Sequence, residues 1–126
     1  LNGVFFTDAN TSKPTFANHL LAANGASDIT ALVNDSPLQQ YEVRSNNAGA
    51  SAQADVGATA DIAYTAGDTS NFVSRCTLDD ATINVAVQQL KIIGVSRDPE
   101  NNDLTAANVV WRVIVNQSAF DDTSGV

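Results

Sequence analysis

Residues Gln89 to Asn116 read Q-L-K-I-I-G-V-S-R-D-P-E-N-N-D-L-T-A-A-N-V-V-W-R-V-I-V-N. Two runs rich in β-formers, Leu90–Ser96 and Val109–Asn116, flank a polar loop with a D-P-E-N-N-D turn, so the stretch predicts strand, loop, strand. In the second run Val109, Trp111, Val113 and Val115 share one parity, and Val110, Arg112, Ile114 and Asn116 share the other. Side chains alternate across a strand, so the first set is expected to face the core, against Leu90 and Ile92. Upstream, Ile83, Val85 and Val87 alternate until the phase slips at Gln88-Gln89. A bulge, bend or change of sheet is expected there, because a one-residue slip flips every side chain to the other face.

Working outward, Ile29–Val33, Tyr41–Arg44, Ala60–Thr65 and Phe72–Cys76 read as further short strands. Each is bounded by Asn, Asp, Ser, Gly or Pro, the residues that make turns. Asn46–Ala58 is small and polar and reads as a surface loop around one short strand. Some six to eight strands with turns at intervals of about ten residues predict a mainly β chain. The expected fold is a single-domain antiparallel β-sandwich or barrel with a short N-terminal arm or helix. Its division is an N-terminal accessory segment over 1–28, a β domain over 29–120 and a flexible tail over 121–126.

The N-terminal segment differs from the rest. Val4-Phe5-Phe6 is a dense apolar run, and three of the five phenylalanines fall in the first 16 residues. Pro14 early and Gly25 late predict a short helix over Thr15–Asn24. Two readings stand side by side: Val4, Phe5, Phe6 and Phe16 complete the protein's own core, or they are partner-binding anchors of an arm that docks on other subunits or on a second copy.

Composition narrows the function classes. The chain has 126 residues, enough for one hydrophobic core, and 44% of them are hydrophobic. Much of that fraction is alanine, so the core must rest on few large side chains. Net charge is −8, from 14 acidic and 6 basic residues. Such a chain is not expected to bind nucleic acid, whose phosphates need Lys and Arg to neutralise them, nor an anionic membrane surface. No apolar run approaches the ~18–20 residues of a membrane span. The first residues, L-N-G-V-F-F-T-D, lack the basic and apolar regions of a signal peptide.

Reactive groups are sparse. His19 is the only histidine and Cys76 the only cysteine. Zinc needs three or four such ligands, and a Ser-His-Asp hydrolase would need His19 as its base with no G-x-S-x-G beside it. A nucleophilic cysteine needs a neighbouring base, so Cys76 reads as a small buried hydrophobe. Asp98, Glu100, Asn102 and Asp103 mimic the spacing of a calcium loop but lack its glycine and distal glutamate. Asp68, Asp79, Asp80, Asp121 and Asp122 are scattered carboxylates, and the facing pair that a glycosidase needs across a cleft is not something a sequence displays. Three Asn-x-Ser/Thr triplets, at Asn10, Asn34 and Asn116, fit chance in so polar a sequence. The expectation is no enzyme: no catalytic residues, no cofactor and no metal.

A succession of motifs points to a function. Q-A-D-V-G-A-T-A-D-I-A-Y-T-A-G-D-T (Gln53–Thr69) is followed by S-R-C-T-L-D-D (Ser74–Asp80). Then come Q-L-K-I-I-G-V-S-R-D-P-E-N-N-D (Gln89–Asp103) and V-V-W-R-V-I-V-N-Q (Val109–Gln117). This order resembles the head decoration, or cement, proteins of tailed bacteriophages, over roughly Gln40 to Phe120. One departure stands at the end, where the family often has His or Glu after the final Asn and this chain has Gln117-Ser118. The N-terminal segment lies outside the resemblance. The resemblance implies a β-rich protein on the outer surface of the virion capsid, with the major capsid protein as partner, clamping neighbouring subunits of the shell. Two other classes remain: a self-assembling coat or tail-tube subunit, and a carbohydrate-binding β-sandwich module. Self-association as a homo-oligomer is open in each.

Overall fold

The computed structural model describes residues 3–20, 22–34 and 36–117. The described chain is mainly β, with eight strands: β1 (Gly3–Asp8), β2 (Lys13–Ala17), β3 (Thr30–Leu32), β4 (Gln40–Arg44), β5 (Thr59–Ala63), β6 (Thr77–Asp79), β7 (Leu90–Val95) and β8 (Val110–Val115). Two units divide the chain. Residues 1–35 with Thr69–Phe72 form one, and Ser36–Asp68 with Val73–Val126 the other. The first holds an antiparallel three-stranded sheet, order β2-β1-β3; the second holds an antiparallel five-stranded sheet, order β4-β8-β7-β5-β6.

The expected β7–β8 hairpin is the centre of the larger sheet. Leu90 stands opposite Val115, Ile92 opposite Val113, and Val95 opposite Trp111. The register shifts between Ile92 and Gly94, so Ile93 is an extra residue and Val95 regains the core face. Gly94 suits this point because a Cβ there would lie 2.9 Å from Nη2 of Arg112. The glycine lets the Arg112 side chain cross the bulge, where its Nε donates to the Val95 carbonyl at 3.2 Å. Beyond the strand ends, Asn101 continues the ladder with its side chain. Its Nδ2 donates to the carbonyls of Val110 at 2.9 Å and Ser96 at 3.3 Å, and its Oδ1 accepts the Val110 N–H at 2.9 Å. The D-P-E-N-N-D loop is thus pinned to the sheet by one amide.

The larger sheet curls into a half-barrel. Its two outer strands meet where Ser45, just past β4, bridges in parallel to Leu78 of β6, with the Asn46 N–H donating to the Leu78 carbonyl at 2.9 Å. The inner face buries Ala60, Leu78, Leu90, Ile92, Val109, Trp111 and Val113, with Val43 and Val95 packed against them. Trp111 is 0% exposed, flanked by Val43 and Val95 in the pairing register. Each fully buried aliphatic side chain here contributes on the order of 1.5–3 kcal/mol. Val115, expected on the core face, is only partly buried, because it sits at the strand end.

Several expectations fail, each for a local reason. Ile83–Val87 is not a strand. Asp79 caps a single turn of 3-10 helix (Asp80–Thr82), Asn84 adopts φ 62°, and the segment is tied crosswise by Asn84 N–H to Thr59 O and Thr59 Oγ1 to Ala86 O. Val85 and Val87 are consequently 73% and 76% exposed. The phase slip at Gln88 marks the end of this loop, and the bulge lies further on. Phe72–Cys76 also forms no strand; Phe72 has φ 57°, and pairing begins only at Thr77. Within Asn46–Ala58 a 3-10 turn, Gln53–Asp55, replaces the expected short strand. The helix expected over Thr15–Asn24 is β2 in its first part and a 3-10 turn, Ala22–Asn24, in its last. The tail 121–126 lies outside the described residues.

Three buried polar side-chain atoms have no hydrogen-bond partner among the described residues: Asp80 Oδ1, Gln88 Oε1 and the Trp111 indole nitrogen. Asp80 is buried and carries one of the three. Burial raises its carboxyl above the ordinary aspartate value, the Ser45 hydroxyl and Asn47 N–H offset part of this, and Asp79 and Asp55 add repulsion. A raised folded-state value means the folded protein holds the proton more tightly than the unfolded chain. The penalty is therefore present at neutral pH and is relieved as pH falls through the raised value toward 3.8.

Two outcomes follow for urea unfolding of the larger unit. Trp111→Ala costs about 3–5 kcal/mol. Asp80→Asn stabilises the protein at pH 7 by up to about 1 kcal/mol, and its advantage shrinks on acidification because protonated Asp80 already lacks the charge.

Candidate functional site

The N-terminal sheet is built around a tight hairpin. The Asp8 carboxylate accepts the N–H groups of Asn10 at 2.8 Å and Thr11 at 2.9 Å, and Asn24 Nδ2 donates to its other oxygen at 3.0 Å. The Thr11 amide foremost, then Asn24, holds this carboxyl below the ordinary range. On the other side of β1, Asp28 accepts from the Thr7 N–H at 2.9 Å and the Thr7 hydroxyl at 2.5 Å, and these bonds lower its carboxyl too. Both carboxylates act as local backbone caps.

The Thr7–Asp28 bond fixes which way the backbone points. The Thr7 N–H is directed toward the β3 side, so by alternation Gly3, Phe5 and Thr7 bond toward β3, and Val4, Phe6 and Asp8 toward β2. Pro14, opposite Thr7, therefore falls at a non-bonded pair of the β1–β2 ladder. The N–H it lacks would have pointed outward from the sheet, so β2 accommodates proline as an edge strand without losing a bond.

The same alternation separates the four residues singled out as anchors. Val4 and Phe6 lie on one face and are buried; Phe5 lies on the other, directly opposite Phe16. The two rings are 4.6 Å apart, centroid to centroid, and tilted by 40°. They remain 49% and 53% exposed. Gly3 makes room for this pair: a Cβ at that position would stand 2.2 Å from Phe16 Cζ. Leu32, opposite Gly3, and Thr30, opposite Phe5, are exposed on the same face. The result is an apolar platform of Phe5, Phe16 and Leu32 on an otherwise acidic chain. Sequence reading found the phenylalanines but not Gly3 or Leu32. The strand run around Leu32 was legible; its pairing with β1 was not.

Other candidates fall elsewhere. His19 stacks on Phe72, with centroids 3.5 Å apart and planes within 3°, and its Nδ1 lies 2.7 Å from Asn18 Oδ1. It borders a groove of about 420 Å³ with Phe6, Asp8, Thr15 and Asn24. Cys76 is half-buried; the Ser74 side chain first, then a backbone hydrogen bond with Thr65, lowers its thiol from the ordinary value. In the calcium-like stretch, Asp98 caps the Glu100 N–H and Asp103 caps the N–H and hydroxyl of Thr105, so both carboxylates serve the turn. No grouping of three metal-ligating side chains occurs among the described residues. No helix among them is long and apolar enough to cross a membrane.

No protein-family model, no curated protein and no solved structure matches this chain.

The two faces of β1 should respond differently to truncation. Phe6→Ala, on the buried face, costs about 3–5 kcal/mol. Phe16→Ala, half-exposed on the platform, costs less, about 1–2 kcal/mol from the aromatic pair and the partial burial together. Native-state hydrogen exchange at the β1 amides reads both values.

Proposed function

We propose that this chain is a capsid decoration, or cement, protein of a tailed bacteriophage. It binds the outer surface of the icosahedral head and stabilises it by clamping neighbouring subunits of the major capsid protein. The motif succession between Gln53 and Gln117 suggests the family. The observation that carries the reading further is the platform of Phe5, Phe16 and Leu32 on the N-terminal sheet. An apolar face with half-exposed aromatics is the kind of anchor that gains free energy when buried in a partner's pocket. Phe5 and Phe16 are the contact residues in this reading, while Val4 and Phe6 hold the sheet that presents them.

Charge supports an external position. A net charge of −8 disfavours contact with packaged genome and keeps a protein soluble at the high local density of a shell surface. Action of this kind needs no catalytic residues, cofactor or metal. The carbohydrate-binding alternative loses its best stacking group, since Trp111 lies wholly within the core, and Tyr64, 81% exposed, is left without a tryptophan partner on the surface. A self-assembling coat or tail-tube subunit would polymerise by itself, whereas a cement protein adds to a finished shell.

Binding free energy available only on the mature shell stabilises that shell by mass action. Heads lacking the protein, heated alongside heads to which it has been added back, should release their DNA at the lower temperature. Equal release temperatures, with the protein bound, would remove the clamp function.

A further inference from the structure

We propose that the N-terminal sheet pairs with a second copy of this chain through the outer edge of β3, giving a continuous six-stranded antiparallel sheet across a two-fold axis. The argument starts from the contrast between the two edges of the sheet. The β2 edge carries Lys13 and Pro14, the residues that blunt a strand edge against further pairing. The β3 edge carries neither. It reads Ile29-Thr30-Ala31-Leu32-Val33, strongly β-forming, without charge, and exposed throughout. No strand among the described residues lies on its outer side.

Backbone direction then selects a register. Because Gly3 and Phe5 bond toward Leu32 and Thr30, the N–H and C=O of Ala31 point outward, as do those of Ile29 and Val33 by the same alternation. An antiparallel partner centred on Ala31 places Ala31 against Ala31 of the second copy, Ile29 against Val33, and Thr30 against Leu32. Every outward-pointing residue then meets another outward-pointing residue, for about six new backbone bonds. Asp28 falls opposite Asn34 in that register, so no like charges face each other in a chain whose net charge of −8 otherwise opposes self-association. This charge pattern is the reason for choosing a second copy as the occupant: the segment is self-complementary in this register and carries no charge of its own on an acidic chain. A two-fold axis normal to the sheet also leaves the two Phe5–Phe16 platforms on the same side, doubling the apolar face. The inference does not depend on what that face binds.

The test is sedimentation of the full chain over a range of concentrations, with charges placed at the centre of the pairing. The unsubstituted protein should show a reversible dimer. Ala31→Lys alone and Ala31→Asp alone should each weaken it by about tenfold or more, since like charges then stand directly opposite. An equimolar mixture of the two variants should recover the dimer, because Ala31 of one copy faces Ala31 of the other; recovery also shows that both variants are folded. A protein that stays monomeric at all concentrations overturns the inference. So does a dimer that both variants leave intact, or a mixture of folded variants that fails to recover it.

Discussion

The closing of the five-stranded sheet around Trp111 is the constraint on which the larger unit depends. A flat sheet of five short strands would expose one apolar face, and this chain has few large side chains with which to cover it. Curling brings β4 and β6 together at the Ser45–Leu78 bridge and lets a single inner face bury Trp111, Leu78, Ile92 and Val113. The bulge at Ile93 and the glycine at 94 supply the local twist, and Asn101 substitutes for ladder bonds where the strands run out. Part of the cost lies at the closing seam, where Asp80 is buried with one oxygen unpartnered beside Ser45 and Asn47, and part at Gln88 Oε1 and the Trp111 indole nitrogen, which have no partner among the described residues. Closure therefore sets these unpartnered polar groups against the burial of the chain's only tryptophan ring.

The N-terminal sheet obeys a different logic. Its buried face, Val4 and Phe6, and its exposed face, Phe5 and Phe16, follow from one alternation along β1. A stretch of three consecutive apolar residues cannot place all of them on one side of a strand. One of Val4, Phe5 and Phe6 had to face outward, and the opposite strand supplies Phe16 at the same position rather than a polar residue. Gly3 gives the Phe16 ring its room. The carboxylates that cap this sheet, Asp8 and Asp28, are held in their charged forms, so their contribution falls as pH drops through their lowered values. Asp80 in the other unit titrates in the opposite sense, and acid therefore pulls on the two units in different directions.

What the sequence made legible was whatever rests on strict alternation. The β7–β8 hairpin, the core face of Trp111 and Val113, and the mainly β fold all follow from period-two patterning between clear turn residues. Errors came where alternation was real but backbone chemistry overruled it. Ile83, Val85 and Val87 alternate as a strand should, yet Asn84 takes a left-handed conformation and the Asp79 cap starts a 3-10 turn, so the valines point to solvent. Pro14 and Gly25 suggested a helix, although proline is equally at home on an edge strand whose outward N–H is unused. The candidate site was half legible. Phe5 and Phe16 stood out by composition, but their meeting depends on the β1–β2 register, and Leu32 joins them only through the β1–β3 pairing across more than twenty intervening residues.

If this chain is a cement protein as proposed, a passive apolar platform presented by a small sheet holds it on the viral head. Cryo-electron microscopy of mature heads incubated with the purified protein tests it most directly. Regular density is expected on the outer surface, with the N-terminal sheet inward and Phe5 and Phe16 against the capsid subunits. Heads that remain bare, or density in which this sheet points to solvent, would contradict it.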